Sequence, residues 1–140
     1  MTGQKQGGGH DILHPAGWAR ARGYANGVAA TGRMVFTGGL VGWNADQVFE
    51  TDDFGGQTAQ ALRNIVAVLA EAGATPEHLV RLTWYVTSKA DYLAALPALG
   101  PIYRDIIGRH YPAMALIQVV ALVEDRAKVE IEATAVIPGG

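Results

Sequence analysis

Two acidic side chains, Glu130 and Glu132, alternate along the last apolar segment of the chain and are its clearest candidates for proton chemistry. Residues two apart in a strand face the same side, so both carboxylates share one face while Val129 and Ile131 occupy the other. A carboxylate held in a cleft can act as a general base toward water. The same pattern is also typical of a solvated strand face, and it leaves both interpretations open.

Few other side chains are candidates for chemistry. His10 and His14 are four residues apart, but glycine and proline flank them and no third ligand is evident, so we predict no metal site. Ser88 is the only serine and there is no cysteine, which excludes thiol nucleophiles and disfavours a serine triad. Gly7-Gly8-Gly9 lacks the strand, lysine and helix of a phosphate loop, so no nucleotide cofactor is predicted.

Three basic residues lie near the end of a predicted second helix. They are Arg104, Arg109 and His110. Cations at a helix C-terminus interact favourably with its dipole, which is one explanation. The other is that one of them supplies a positive charge to a ligand, from another wall of its site or from a neighbouring subunit.

The composition indicates one ordinary globular domain. The chain has 140 residues, 49% of them hydrophobic and 17% charged. Residues 1–9 are polar and glycine-rich and predict a flexible tail before a single domain over residues 10–140. A net charge of −2 predicts no affinity for nucleic acid. No apolar run is long enough for a membrane span and no signal peptide is visible, so a cytoplasmic protein is the default expectation.

Periodicity places the first helix after an irregular lead-in over residues 10–23 and a predicted hairpin over residues 24–37, turning at Thr31-Gly32-Arg33. Asp52 or Asp53 is expected to cap the helix, and Gly73 to end it. A single helical turn at Thr75-Pro76 follows. The apolar stripe of this helix has spacings of three and four and consists of Ala59, Leu62, Ile65, Val66 and Leu69.

The second half of the sequence predicts a strand over residues 79–86 and then a second helical region. Two final strands are predicted over residues 115–123 and 128–137. Asp91 is expected to cap the second helical region, and Pro97 and Pro101 to break it into two pieces. The element order predicts an α+β fold in which two helices pack on one face of a single sheet. The opposite face then carries apolar residues, which favours oligomerisation.

The end of the chain resembles the C-terminal signature of the RidA (YjgF) family. The residues that carry this resemblance are Tyr111-Pro112-Ala113-Met114 and Lys128-Val129-Glu130-Ile131-Glu132-Ala133. Together with Gly23-Tyr24 and Thr37-Gly38-Gly39, it covers about residues 22–138. The resemblance implies a chorismate-mutase-like fold, a homotrimer, a small-molecule ligand in clefts between subunits, and hydrolysis of reactive imines or enamines, such as 2-aminoacrylate, to a keto acid and ammonia.

The match to the family's functional residues is partial. The pocket tyrosine corresponds to Tyr24, and the glutamate that activates water corresponds to Glu130. The arginine that holds the substrate carboxylate corresponds to Met114, which cannot form this bond of roughly 1.5–3 kcal/mol. We therefore expect a larger, more apolar or differently charged ligand rather than a small α-imino acid. At three further pocket positions the family has a serine, an asparagine, and a cysteine or similar small residue. This chain has Gly38, Gly100 and Leu116 at these positions.

The resemblance makes Glu130 the candidate catalytic residue. Trp43 follows Gly42 in a loop and is a further candidate, since it could cover a ligand, whereas Tyr24 and Trp84 could also be core aromatics. Relatives that deaminate 2-aminomuconate make an aromatic-catabolism intermediate a candidate substrate. The alternative is a non-catalytic trimer that binds a small molecule or a protein partner. The candidate substrate-binding residues are Tyr24, Gly38, Trp43, Met114, Ala115 and Leu116.

Overall fold

The computed structural model of the chain describes residues 4–5 and 9–139. It contains eight strands, two α-helices and one 3-10 turn at Pro76–His78 in this part. The helices are α1 (Phe54–Glu71) and α2 (Lys89–Ile106). The strands are β1 (Gln4–Lys5), β2 (Asp11–Leu13), β3 (Gly27–Ala29), β4 (Arg33–Phe36), β5 (Leu40–Val41), β6 (Leu79–Val86), β7 (Ala113–Gln118) and β8 (Val129–Ile137).

Five strands form the main sheet, with the order β4-β8-β6-β7 and with β5 also paired to β8. Strand β7 lies at one end and runs parallel to β6, whereas the other pairings are antiparallel. A second sheet of three short strands, β1-β2-β3, was not predicted. Of the predicted tail, residues 1–3 and 6–8 lie outside the described residues, and Gln4–Lys5 pairs with β2.

Helix α1 confirms the predicted apolar stripe. Leu62, Ile65 and Leu69 are fully buried in the core between the helices and the main sheet. The Asp53 carboxylate accepts a 2.8 Å hydrogen bond from the amide of Gly56, which satisfies one of the free N–H groups in the first turn. Gly73, just beyond the helix, has a φ of 77°, a conformation that only glycine adopts without strain.

Helix α2 corrects two predictions. It is continuous through Pro97 and Pro101, and its N-cap is Ser88, whose hydroxyl accepts a 3.1 Å hydrogen bond from the amide of Asp91. Both prolines are exposed, so water can solvate the carbonyls that their missing N–H groups leave unpaired. Burial of Leu99 and Tyr103 in the core favours the continuous helix over the break that the prolines alone would cause.

The predicted hairpin over residues 24–37 is wrong. Strand β3 pairs with β2, and β4 pairs with β8, so the two segments belong to different sheets. Gly32 redirects the chain between them at φ 149°, where a Cβ atom would collide with the carbonyl of Ile137. The lead-in over residues 10–23, expected to be irregular, contains β2. Local turn residues were correct signals for a turn but could not show which strands pair across it.

The last two strands also differ in extent. Strand β7 ends at Gln118, five residues before the predicted end, and Val120 and Val123 beyond it are almost fully exposed. In β8 the predicted alternation is confirmed, because Val129, Ile131 and Ala133 are buried against the helices.

A buried amide ties the start of α1 to the loop before β8. The Gln57 side chain is inaccessible to solvent and donates hydrogen bonds to the carbonyls of Thr51 and Arg126, at 3.1 and 2.9 Å. Its oxygen accepts a 2.8 Å bond from the amide of Lys128. The backbone of Gly42 packs directly on Gln57, where no Cβ atom would fit. This network fixes the segment that leads into the strand bearing Glu130.

Candidate functional site

An apolar groove of about 340 Å³ lies between α2 and the edge strand β7. Its volume is at the lower end of the range typical of small-molecule sites. Strand β6 contributes Trp84 to it, and the loop before Ala25 contributes Arg22, Gly23 and Tyr24. We call this cavity the apolar groove; its main hydrophobic lining residues are Trp84, Leu96, Leu99, Tyr103, Met114 and Leu116.

Four of the predicted substrate-binding residues meet in the apolar groove. Tyr24 comes from the loop, and Met114, Ala115 and Leu116 are consecutive in β7. The loop is attached to the strand by a 3.0 Å hydrogen bond from the amide of Ala25 to the carbonyl of Pro112. Gly100, the position that corresponds to a family asparagine, lines the same groove from α2.

Two aromatic rings join the end of α2 to the start of β7. Tyr103 and Tyr111 stack with their ring centroids 5.3 Å apart. The Tyr103 hydroxyl donates a 2.6 Å hydrogen bond to the carbonyl of His110. Burial raises the pKa of Tyr103, so this hydroxyl stays a neutral donor at physiological pH. The end of the groove is therefore held by packing together with a short buried hydrogen bond.

Glu130 does not line the apolar groove. It lies in β8 opposite Tyr85 of β6, on the sheet face away from the helices, and its carboxylate lies against the backbone of Gly39. Beside it, the Tyr85 hydroxyl donates a 2.9 Å hydrogen bond to Glu132. This bond raises the pKa of Tyr85, with smaller contributions from burial and from the charges of Glu132 and Glu130. Glu130, Glu132 and Tyr85 thus form an acidic cluster on the open face.

The remaining two predicted site residues lie in other places. Gly38 is exposed next to Gly39, so it is near the Glu130 carboxylate rather than in the apolar groove. Trp43 packs against Phe49, with ring centroids 5.6 Å apart, in a small cluster with Val41. Its role as a cover for a ligand stays a prediction.

None of the three basic candidates near the end of α2 lines the apolar groove. The Arg104 guanidinium lies over Gly100 on the helix. His110 is buried and hydrogen-bonds through Nε2 to the carbonyl of Leu79 at 2.7 Å. Its burial lowers its pKa, against the opposing effect of that hydrogen bond. Arg109 lines a second, wider groove on the other side of Tyr24 and Tyr111.

That wider cavity, of about 1120 Å³, joins the apolar groove at Arg22, Gly23, Tyr24 and Tyr111. We call it the basic groove, because Arg20, Arg22 and Arg109 line it with Glu77 as the one acidic residue. Arg22 was not among the sequence candidates. Its place two residues before Tyr24 was the available signal, because neighbours in one loop reach the same cavity.

The histidines at positions 10 and 14 have structural partners. His10 is buried and donates from Nε2 to the carbonyl of Val136 at 2.9 Å, while His14 lies within 3.1 Å of the Trp18 carbonyl. Over residues 9–139, no three His, Cys, Asp or Glu side chains come together as a metal site would need. Neither described helix is both long and apolar enough to cross a membrane.

The fold and the grooves define a class of protein: a two-layer α+β domain with two helices on one face of a mixed sheet and an apolar groove beside the edge strand. Residues 17–137 match the model of the family described as Endoribonuclease L-PSP. The chain therefore belongs to this family, which is the RidA (YjgF) family that the sequence resembles.

Individual relatives agree with this assignment. TdcF of Escherichia coli strain K12, assigned by name to the reactive intermediate deaminases, is 29% identical over 108 residues, which cover 75% of this chain and 80% of TdcF. The solved structure of the Rid-family protein YyfB from Yersinia pestis has a TM-score of 0.78 at 34% identity, covering 91% of this chain and 98% of YyfB. The structure of E. coli TdcF with bound serine has a TM-score of 0.64 at 28% identity, covering 84% and 90%.

Proposed function

We propose that the chain is a hydrolytic deaminase of an imine or enamine whose body is more apolar than that of a small amino acid. The observation that carries this proposal is the convergence of Tyr24, Met114, Ala115 and Leu116 on one groove of ligand size. Membership of the family and the name of TdcF support the reaction class. The bound serine belongs to TdcF, and it supports a ligand site in relatives of this fold.

The active assembly in this proposal is a homotrimer with the ligand in clefts between subunits. The open face of the main sheet supports it, because Met34, Phe36 and Ile117 lie there at 59%, 64% and 44% exposure. Apolar side chains at this density favour burial against another chain. The proposal requires that a second chain packed here bring its apolar groove toward Glu130, because one chain keeps the two on opposite sheet faces.

The proposed reaction needs only water and a base. Glu130 takes a proton from water as the water oxygen adds to the C=N carbon, and the proton then passes to the nitrogen. The hydroxyl proton of the resulting carbinolamine then moves to the nitrogen as the C–N bond breaks, which releases ammonia and leaves a ketone or keto acid. An enamine reaches the same step after its carbon is protonated to give the imine. The proposal includes no metal or cofactor, and it places the protein in the cytoplasm.

A second candidate function is a trimer that binds a small apolar molecule, or a partner, without catalysis. The observation that favours it is the composition of the apolar groove, where a thioether stands in the position of the family arginine and no carboxylate is within the groove of a single chain. Such a site binds apolar ligands through the adaptable packing of methionine.

Ammonia release from a panel of imines tests the proposal. The panel is generated in situ from amino acids of increasing side-chain size, and the ligand-induced shift in melting temperature is measured in parallel with the corresponding keto acids. Turnover above the uncatalysed rate for apolar members supports a deaminase. Melting shifts without any ammonia release reject it and favour the binding function.

A further inference from the structure

Arg22 is the charged side chain that lines the apolar groove, whose other lining residues are apolar, aromatic or glycine. We propose that Arg22 binds the carboxylate of an aromatic or similarly apolar acid whose body fills this groove. The inference rests on the proposed function, because it names the substrate class for the same groove. It assigns the anion-binding role to a loop residue rather than to β7, α2 or a second chain.

The Arg22 guanidinium is available for a ligand. Arg22 is exposed, and the described part of the chain gives it neither a hydrogen bond nor an ion pair. By contrast, Arg126 is paired with Asp52 at 3.0 Å. An unpaired guanidinium keeps its donors for a planar, two-oxygen acceptor such as a carboxylate.

The position of Arg22 at the junction of the two grooves gives it a favourable field. Arg20 and Arg109 line the adjoining basic groove, and Glu77 is the acidic residue among its lining. This excess of positive charge attracts anions to the mouth of the apolar groove and increases their rate of entry. Because these groups are exposed, salt weakens the attraction.

The body of the ligand follows from the remaining walls. A cavity of about 340 Å³ has room for one ring with a short chain, and Trp84, Leu99 and Met114 offer it apolar contacts. A small carboxylate such as acetate gains none of this burial, and an exposed ion pair alone contributes little affinity. The site therefore selects molecules that have both a carboxylate and an apolar body.

The lining of the groove contains one further unsatisfied group. The indole N–H of Trp84 is buried and has no hydrogen-bond partner among the described residues, although Trp84 itself is a lining residue. Buried donors are nearly always paired, so this N–H in the wall of the groove is an exception.

Calorimetric titration of the intact chain with three non-reactive probes tests the inference. Phenylacetate should bind about 3- to 5-fold more tightly than phenylacetamide, which has the same ring without the charge, as expected for an exposed ion pair, and acetate should bind more weakly than either. Arg22→Gln should lower the affinity for phenylacetate to that for phenylacetamide and leave phenylacetamide unchanged. The matched control is Arg63→Gln, on the exposed side of α1, which should alter neither.

Equal binding of the two aromatic probes by the wild-type chain, or the same loss of both in Arg22→Gln, overturns the inference, as does the absence of any binding. Arg22→Lys keeps the charge and should retain part of the preference, which separates a charge effect from a folding defect. The titration involves no turnover, so a chain that binds phenylacetate through Arg22 and releases no ammonia rejects the proposed function alone. Ammonia release from an aromatic imine that Arg22→Gln leaves unchanged rejects this inference alone.

Discussion

Glu130 and Met114 lie on opposite faces of the same five-stranded sheet. Glu130 is opposite Tyr85 in the pairing of β8 with β6, and Met114 is opposite Leu82 in the pairing of β7 with β6. Leu82 and Tyr85 are three residues apart in one strand, so their side chains point to opposite sides. One chain therefore cannot bring the candidate base and the lining of the apolar groove to the same small ligand.

The first prediction concerns assembly. If the open sheet face is buried in a homotrimer, light scattering should give a mass of about 44 kDa, three times the 14.8 kDa of one chain. Phe36→Glu places a charge on that face and should shift the population toward the monomer. Leu93→Glu changes an exposed residue of α2 instead and serves as the control. A monomer mass for the wild-type chain at micromolar concentration would contradict the trimer.

The second prediction concerns Glu130. If the chain is a deaminase, Glu130→Gln should lower turnover by about 100-fold or more, because glutamine has nearly the same shape but cannot accept the proton. Its effect on the free energy of unfolding should stay within about 0.5 kcal/mol. Glu71→Gln, at the end of α1, is the comparison. Activity that survives Glu130→Gln would mean that another group activates the water.

The third prediction concerns Met114. Met114→Arg introduces a guanidinium into the apolar groove and should strengthen the binding of pyruvate and benzoate, by about 10-fold if the bidentate geometry forms. Met114→Leu preserves the apolar lining and should leave pyruvate binding unchanged. Calorimetric titration measures both. Strong pyruvate binding by the wild-type chain would instead show that another cation already holds small carboxylates.

The fourth prediction concerns His110 and pH. Burial lowers its pKa in the folded chain, so below about pH 6.5 the unfolded chain takes up a proton that the folded chain does not. Stability should therefore fall as pH drops through 6.5, by at most about 1.4 kcal/mol per pH unit from this group. His110→Gln removes the titrating ring and should flatten this dependence. Urea unfolding at pH 5, 6, 7 and 8 measures it, and parallel curves for both proteins would disprove the assignment.

The fifth prediction concerns Gln57. Gln57→Leu leaves the Thr51 and Arg126 carbonyls and the Lys128 amide without their partner, so it should destabilise the chain by about 2–4 kcal/mol. Gln60→Leu, three residues along α1, removes a single bond to Asn64 and should cost less than about 1 kcal/mol. The midpoints of urea unfolding, at an unchanged dependence of the free energy on urea concentration, give the free-energy change of each variant. A smaller loss at Gln57 than at Gln60 would exclude the network as a source of stability.

The sequence alone was sufficient to predict features that depend on a single segment of the chain. Asp53 and Gly73 mark the ends of α1 because capping depends on neighbouring residues, and the alternation in β8 depends only on which face is buried. The break predicted in α2 is wrong because the cost of Pro97 and Pro101 is local, whereas the burial of Leu99 and Tyr103 in the common core depends on other parts of the chain.

The candidate site likewise combines residues that could be predicted from one segment with relationships that depend on contacts between segments. Met114, Ala115 and Leu116 were predicted together because they are consecutive, and Tyr24 was found from its place in a family motif. Arg22 was missed although it lies two residues before Tyr24, because the hydrogen bond that holds this loop against Pro112 is visible only in the structure. The separation of Glu130 from Met114 could not be predicted either, because it follows from strand pairing across the sheet.

The two prolines of α2 have a consequence for motion. Neither Pro97 nor Pro101 has an N–H, so the carbonyls of Leu93 and Pro97 lack their usual partners four residues ahead, on the helix that supplies Leu96, Leu99 and Gly100 to the groove. Helix α1 has no such interruption. Amide hydrogen exchange in the middle of α2 should accordingly be faster than in α1, because fewer backbone bonds resist local opening there. The wall of the groove that α2 forms is thus expected to deform more easily than the wall that the sheet forms, so the groove can change in width while the sheet stays fixed.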